Sequence, residues 1–231
     1  MEKIYVTGDY LDRNPTWHIE ESPWKARQVI RMIHKDHLDP KTICEVGCGA
    51  GEVLVHLQKY LNDDCVFWGY DISPQAFELS SGKENASLKF QLADLTKEKD
   101  RFFDVILLLD IIEHLEDYFS FLRDLKTKSR YKILHIPLDL SVQAVIRKHG
   151  LNHVRQIYGH LHYFTKNLAL EMLADVGYEV IDYCYTARAL EIPSKQMMRN
   201  LINVPRKLLS AVDRDLASRI LGGWSLLVLA I

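Results

Sequence analysis

The stretch that decides the fold is Ile43-Cys44-Glu45-Val46-Gly47-Cys48-Gly49-Ala50-Gly51-Glu52-Val53-Leu54, followed by Cys65-Val66-Phe67-Trp68-Gly69-Tyr70-Asp71. A short β-type run enters three glycines spaced two apart, and Leu54, Leu57 and Leu61 then recur at helical spacing. The glycines therefore stand where a strand turns into a helix. Glycine there permits positive φ and lets a ligand lie against the backbone. A second strand ends on Asp71, whose carboxylate can accept two hydrogen bonds from a ribose diol. Strand, glycine loop, helix, strand and acid form a unit suited to holding a nucleoside.

Two ligand classes use such a unit. A pyrophosphate prefers Gly-x-Gly-x-x-Gly, which points a helix N-terminus at the phosphates. Here the spacing is Gly-x-Gly-x-Gly, with Glu45 two residues ahead. A carboxylate is a poor neighbour for pyrophosphate and a good one for a cation. Glu45-x-Gly47-x-Gly49-x-Gly51 resembles the first motif of the class I S-adenosylmethionine (SAM)-dependent methyltransferases, whose cofactor carries a sulfonium and no phosphate.

Downstream residues extend the resemblance. Leu88 to Ala93 alternates as a strand and ends at Asp94-Leu95. In the family the acid at this place receives the adenine amino group, and the next residue packs on the ring. Phe102 to Asp110 is a continuous apolar run between acids, suited to a central parallel strand buried on both faces. Ile111-Ile112-Glu113-His114-Leu115-Glu116-Asp117 follows it, similar to the Glu-His-Leu-x-Asp signature of many small-molecule methyltransferases. The resemblance covers roughly residues 43–185 and the last strand. It implies a SAM site built from Glu45, Gly47, Cys48, Gly49, Gly51, Asp71, Ile72, Asp94, Leu95, Leu109 and Asp110. Asp71, at a strand end facing the cleft, is expected to be replaceable by alanine without loss of the fold.

The chain has 231 residues, room for one α/β domain with insertions. A formal net charge of −2 gives no global field toward nucleic acid or an anionic membrane. Cysteines 44, 48, 65 and 184 include no Cys-x-x-Cys pair, and Cys44 and Cys48 read as small buried residues. No signal peptide and no run near ~18 apolar residues appear, so the expectation is a cytoplasmic, reduced protein.

In chain order, Tyr5, Tyr10, Trp17 and Trp24, with Pro15 and Pro23, mark residues 1–42 as an N-terminal cap segment. Ser22-Pro23 starts a helix reaching about His37. From this segment Trp17, His18 and Lys25 are within reach of a ligand. Ser73-Pro74 starts another helix, and Tyr118 to Lys126 a third. Arg123, Lys126, Lys128, Arg130 and Lys132 cluster at the turn into a fifth strand, where a capping role outweighs nucleic-acid binding. Residues 138–163 form an insertion carrying His149, His153, His160 and His162. Thr165 caps a helix closed by Gly177, and a strand runs from Tyr178 to Thr186. Residues 187–221 are a second insertion, helical and amphipathic, with Pro193 and Pro205 as breaks. Its apolar stripes, including Met197, Met198, Leu201 and Leu208, suit an acceptor-side lid, a dimer surface or simple completion of the core. Gly222-Gly223 introduces the last strand. The expected fold is a doubly wound, seven-stranded, mostly parallel sheet with an antiparallel last strand, in one domain over residues 1–231.

Methyl transfer from a sulfonium needs an in-line acceptor and removal of the acceptor's proton. Candidate bases are His114, His135, His160 and His162, with His114, His160 and Glu113 taken as the catalytic set. Imidazoles suit an oxygen acceptor, so O-methylation of a small hydroxylated molecule is expected, with a homodimer compatible and nucleic acid not expected. A metal is not part of this expectation. One alternative is drawn from Asp110-x-x-Glu113-His114 with His160, which is similar to the metal-binding set of the RNA 3′-terminal 2′-O-methyltransferases. The other alternative is a SAM-binding protein without turnover.

Overall fold

A computed structural model describes residues 16, 17, 19–192 and 197–231, and for 197–202 the backbone only. His18, Tyr5, Tyr10, Pro15 and Pro193 lie outside the described residues, as do the side chains of Met197, Met198 and Leu201. Seven strands form one sheet: β1 (Thr42–Val46), β2 (Val66–Asp71), β3 (Leu88–Leu92), β4 (Phe103–Leu109), β5 (Ser129–Pro137), β6 (Val180–Thr186) and β7 (Ser225–Ala230). Their spatial order is β3-β2-β1-β4-β5-β7-β6, with β7 antiparallel to both neighbours and the remaining pairs parallel. The expected doubly wound sheet with an antiparallel last strand is what forms.

Helices cover both faces. Each strand's alternate side chains point to opposite faces, and the buried residues accordingly divide into two cores. On one face Ala26, Val29, Met32 and Ile33 of α1 (Ser22–Lys35) and Val53, Leu54 and Leu57 of α2 (Glu52–Leu57) pack with Ile43, Phe67, Val105 and Leu107. On the other, Leu122 and Leu125 of α4 (Tyr118–Lys126) and Ala169, Met172 and Leu173 of α7 (Lys166–Asp175) pack with Val46, Ile106, Leu134 and Val228. Between β2 and β3 lies α3 (Pro74–Ser81), capped by the Ser73 hydroxyl accepting from the Ala76 amide. Thr165 caps α7 in the same way, and Gly177 follows it at φ +84°.

Two expectations are corrected, the reach of α2 and the break at Pro205, and the first insertion gains internal structure. The α2 helix ends at Leu57, and Leu61 lies in the turn beyond, its amide donating to the Leu57 carbonyl. The 138–163 insertion folds into α5 (Val142–Ile146) and α6 (Gly150–Tyr158). Pro205 does not break its helix: after the short α8 (Arg188–Glu191), α9 runs from Met197 to Val212 through it. A mid-helix proline costs roughly 3 kcal/mol, and tertiary anchors on both sides offset it. Asn203 donates to the Ala189 carbonyl at 2.8 Å, and Arg206 Nε and Nη2 donate to the Gly222 and Leu221 carbonyls at 3.0 and 3.1 Å. The real stop is Asp213, whose carboxylate caps α10 (Arg214–Leu221). Ala217 of α10 is fully buried in the second core, so the inner face of this insertion completes the core.

Two members of the basic cluster at β5, Lys128 and Lys132, are spent internally, while Arg123, Lys126 and Arg130 stay exposed. Lys132 is fully buried on the sheet, its ammonium donating to the carbonyls of Lys126, at the C-terminus of α4, and of Ser129. Burial, and secondarily Lys126, pushes its pKa down to about 8. The Lys128 ammonium is held by the Glu98 carbonyl.

Candidate functional site

The carboxyl ends of β1, β4 and β5 open into a cavity of about 410 Å³, whose wall includes Glu45, Gly47, Cys48, Gly49, Leu109 and Asp110. Gly47 and Gly49 have φ of +70° and +53°, in the left-handed region that side chains rarely adopt. A Cβ at Gly49 would lie 2.4 Å from the Trp17 indole, and one at Gly47 would lie 2.7 Å from Ile111 Cδ1. The loop is thus a shallow cradle, with the Trp17 indole lying against it.

Asp71 is not among the residues that line this cavity, and backbone amides engage it. Its Oδ2 accepts from the Gly49 amide at 2.8 Å and its Oδ1 from the Ser73 amide at 2.9 Å. It therefore fixes the glycine loop to the end of β2. Each oxygen keeps a second lone pair for a diol. Replacing Asp71 is a change to the loop as well as to the ligand contact, contrary to the expectation that it is structurally free.

Glu45 is buried at the end of β1, and its Oε2 has no hydrogen-bond partner. Burial pushes its pKa up to about 8, with Lys25 pulling down and Asp71 pushing up. A buried acceptor with nothing to accept is a place for a cationic group. The glycine cradle and this orphaned oxygen fit the amino-acid end of SAM.

Beside the loop runs a chain of polar contacts from four elements. Asp110, just past β4, has φ +55°. Such a backbone costs of order 1–3 kcal/mol and persists only where surroundings hold it. Lys25 Nζ of α1 lies 2.6 Å from Asp110 Oδ2, and His135 Nδ1 of β5 lies 2.5 Å from Oδ1. His135 Nε2 in turn meets Thr186 Oγ1 of β6 at 2.9 Å. Burial alone would raise the Asp110 carboxyl, but the contacts with His135 and Lys25 outweigh it and hold the carboxyl far below its ordinary range.

A second group lies deeper. Glu113 sits in a 3-10 turn (Ile112–His114) after β4, with no exposed surface. Its carbonyl accepts from the Leu161 and His162 amides at 2.7 and 3.2 Å, which brings the 138–163 insertion over the turn. The His114 and His160 rings then meet edge to face, centroids 4.8 Å apart. His160 Nδ1 is 2.6 Å from Asp139 Oδ2, which presents Nε2 toward Glu113. Burial, and then His160, pushes His114 down to about 4, so it is neutral at pH 7. Burial, reinforced by Asp110 and Asp139, raises the Glu113 carboxyl well above its ordinary range.

Not every expected residue joins the site. His162 Nε2 is turned to the Leu115 carbonyl at 2.9 Å, and His135 is bonded at both nitrogens. Asp94 Oδ1 caps its own turn through the Thr96 amide and hydroxyl, while Leu95 is fully buried in the core. Ile72 is 40% exposed outside the cavity wall. Gly51 is buried at the N-terminus of α2. The sequence reading missed Asp139 and Thr186. Asp139 had a signal: an acid two residues past the end of β5, as Asp110 is one past β4.

The chain matches a family model over more than half of its length. The Methyltransferase domain model covers residues 17–183, and the chain belongs to that family. The fold is that of a class I SAM-dependent methyltransferase. Among its relatives, norajmaline N-methyltransferase of Rauvolfia serpentina is 30% identical over 93 residues, 37% of this chain and 31% of that protein. The chain spans about a third of the length of the curated relatives it matches. Magnesium protoporphyrin IX methyltransferase of Synechocystis PCC 6803, solved with SAM, has a TM-score of 0.59 at 15% identity, covering 99% of this chain and 93% of that one. The N-methyltransferase NodS of Bradyrhizobium japonicum WM9, solved with S-adenosyl-L-homocysteine, has a TM-score of 0.56 at 13% identity, covering 93% and 88%.

Proposed function

We propose that this protein transfers the methyl group of SAM to a hydroxyl of a small acceptor. The cofactor, when bound, supplies an activated methyl on a sulfonium. Glu45, Gly47, Cys48, Gly49, Gly51, Asp71 and Leu109 would hold it, while Asp110, locked by Lys25 and His135, stiffens the rim. The observation that carries the hydroxyl reading is the Asp139–His160 pair beside neutral His114, all three on the cavity wall. An alcohol keeps its proton at neutral pH, and an imidazole aimed by a carboxylate is a device for drawing it off. The net charge and the internal use of Lys128 and Lys132 disfavour a nucleic-acid acceptor. Four free thiols, and no described helix long and apolar enough to cross a membrane, support a cytoplasmic setting.

The test is an acceptor panel of phenols, sugars and amines scored by S-adenosylhomocysteine release, with Asp139→Asn and His160→Ala alongside. Hydroxyl turnover that falls ~10²–10⁴-fold in His160→Ala, with SAM affinity kept, is expected. Turnover of amines alone, or a loss below ~10-fold, would defeat the reading. Failure of every acceptor with SAM bound would favour a binding protein without turnover.

A further inference from the structure

We propose that the acceptor carries an anionic oxygen group, a carboxylate or a phosphate ester, held apart from its hydroxyl in a second cavity against Arg147 and Arg206. This rests on the hydroxyl reading and names the acceptor's class. The second cavity has a volume of about 320 Å³ and shares Asp139, Val154 and Gly223 with the first. A single molecule reaching past that shared wall can occupy both. The rest of the wall includes Arg147, just past α5, His149 and His153 at the start of α6, and Arg206 of α9.

The positive charge gathered there has no counter-ion. Arg206 is half-buried, and among the described residues it donates only to neutral oxygens: the Leu221 and Gly222 carbonyls, Asn203 Oδ1 and Gln143 Oε1. A second Nη1 N–H is left over. Gly223, at φ +91°, lets the guanidinium come close, since a Cβ there would lie 3.3 Å from Arg206 Nε. Arg147 is exposed, and its side chain has no hydrogen bond or ion pair among the described residues. Burial, and then the Arg147 charge, lowers the pKa of Arg206, as for two cations set together with no anion between them.

Among the described residues of this wall the one carboxylate is Asp139, and it is engaged by His160 Nδ1 at 2.6 Å. Like charges lining a cavity focus a field that draws in the opposite charge. Guanidinium groups pair an oxyanion through parallel N–H bonds, and the exposed His149 and His153 each add a ring N–H. An anion seated there fixes which end of the acceptor faces His160. Its contribution is positioning, not proton transfer.

The full chain, loaded with S-adenosylhomocysteine, is titrated by calorimetry with para-hydroxybenzoate, para-hydroxyphenylpropionate, para-hydroxyphenyl phosphate and the uncharged para-hydroxybenzyl alcohol. An anionic phenol is expected to bind at least ~10-fold more tightly than the alcohol, and the one preferred tells carboxylate from phosphate. Arg147→Glu, at an exposed and unbonded side chain, should weaken that phenol about 10–100-fold while the alcohol and SAM bind as before. Arg147→Lys should keep part of the advantage. Equal affinity for anionic and uncharged phenols, or an advantage that survives Arg147→Glu, would overturn the site. Anionic phenols bound with the advantage yet never methylated would count against the hydroxyl reading alone. Uncharged phenols methylated as well as anionic ones would count against the site alone.

Discussion

Glu45 gives the protein a pH dependence of defined sign. Its carboxyl ionises near its ordinary value when unfolded and only at about 8 when folded. Its contribution is therefore fully present below about pH 4.5 and is lost as pH rises through 8. The cofactor-free protein should lose up to about 5 kcal/mol from this group over that window. Urea midpoints at pH 5 and pH 8 check it: Glu45→Gln should flatten the decline, and equal declines in both proteins would refute it. A cationic ligand group beside Glu45 lowers its pKa again, so SAM binding at pH 7 should release protons, measurable by calorimetry in buffers of different ionisation enthalpy. Asp71→Ala should lower stability by about 1.5–3 kcal/mol, the scale of a hydrogen bond to a charged group, on top of its effect on binding. Equilibrium unfolding unchanged from wild type would show that the Gly49 and Ser73 amides do not need it. Glu45, the glycines and Asp71 were legible because a backbone turn and an acid at fixed spacing are local facts. The pairing of Asp139 with His160 and the facing of His160 onto Glu113 were not, since they depend on how a 26-residue insertion (138–163) folds back.

At the scale of elements, strands and capped helices followed from periodicity and from Ser73, Thr165 and Gly177. Pro205 misled because its local preference was opposed by contacts reaching residues 189, 221 and 222, which no window of sequence displays. Arg206 is the hinge of that opposition. Arg206→Ala should destabilise the protein by about 1.5–3 kcal/mol, leaving two carbonyls without their donor. A denaturant curve superimposable on wild type would show that α9 is held otherwise. The same contacts bear on the second insertion as a whole. Deleting residues 194–219 removes buried Ala217 and the Arg206 clamp, so loss of cooperative folding is expected rather than survival of cofactor binding. Retained SAM binding in the deletion would restore the view of this segment as a detachable lid.

For the molecule as a whole, a ligand that binds only the folded state raises its stability by mass action. SAM at 100 times its dissociation constant should add about 2.7 kcal/mol. For a domain of this size each kcal/mol shifts the melting temperature by about 2–4 °C. Scanning calorimetry should therefore show a rise of roughly 5–11 °C with SAM and none with NAD. A rise with NAD instead would reassign the glycine loop to dinucleotides. The seven-stranded order also sets a timetable. β7 is the last strand to be synthesised, yet it lies between β5 and β6, hydrogen-bonded along both. Until it arrives, β5 and β6 each present an unpaired edge, and Thr186 is not yet delivered to His135. From the synthesis of β5 until β7 emerges, a nascent chain thus carries an aggregation-prone edge at β5 and then a second at β6. Its glycine loop, tied down by Asp71, can form long before the sheet behind it closes.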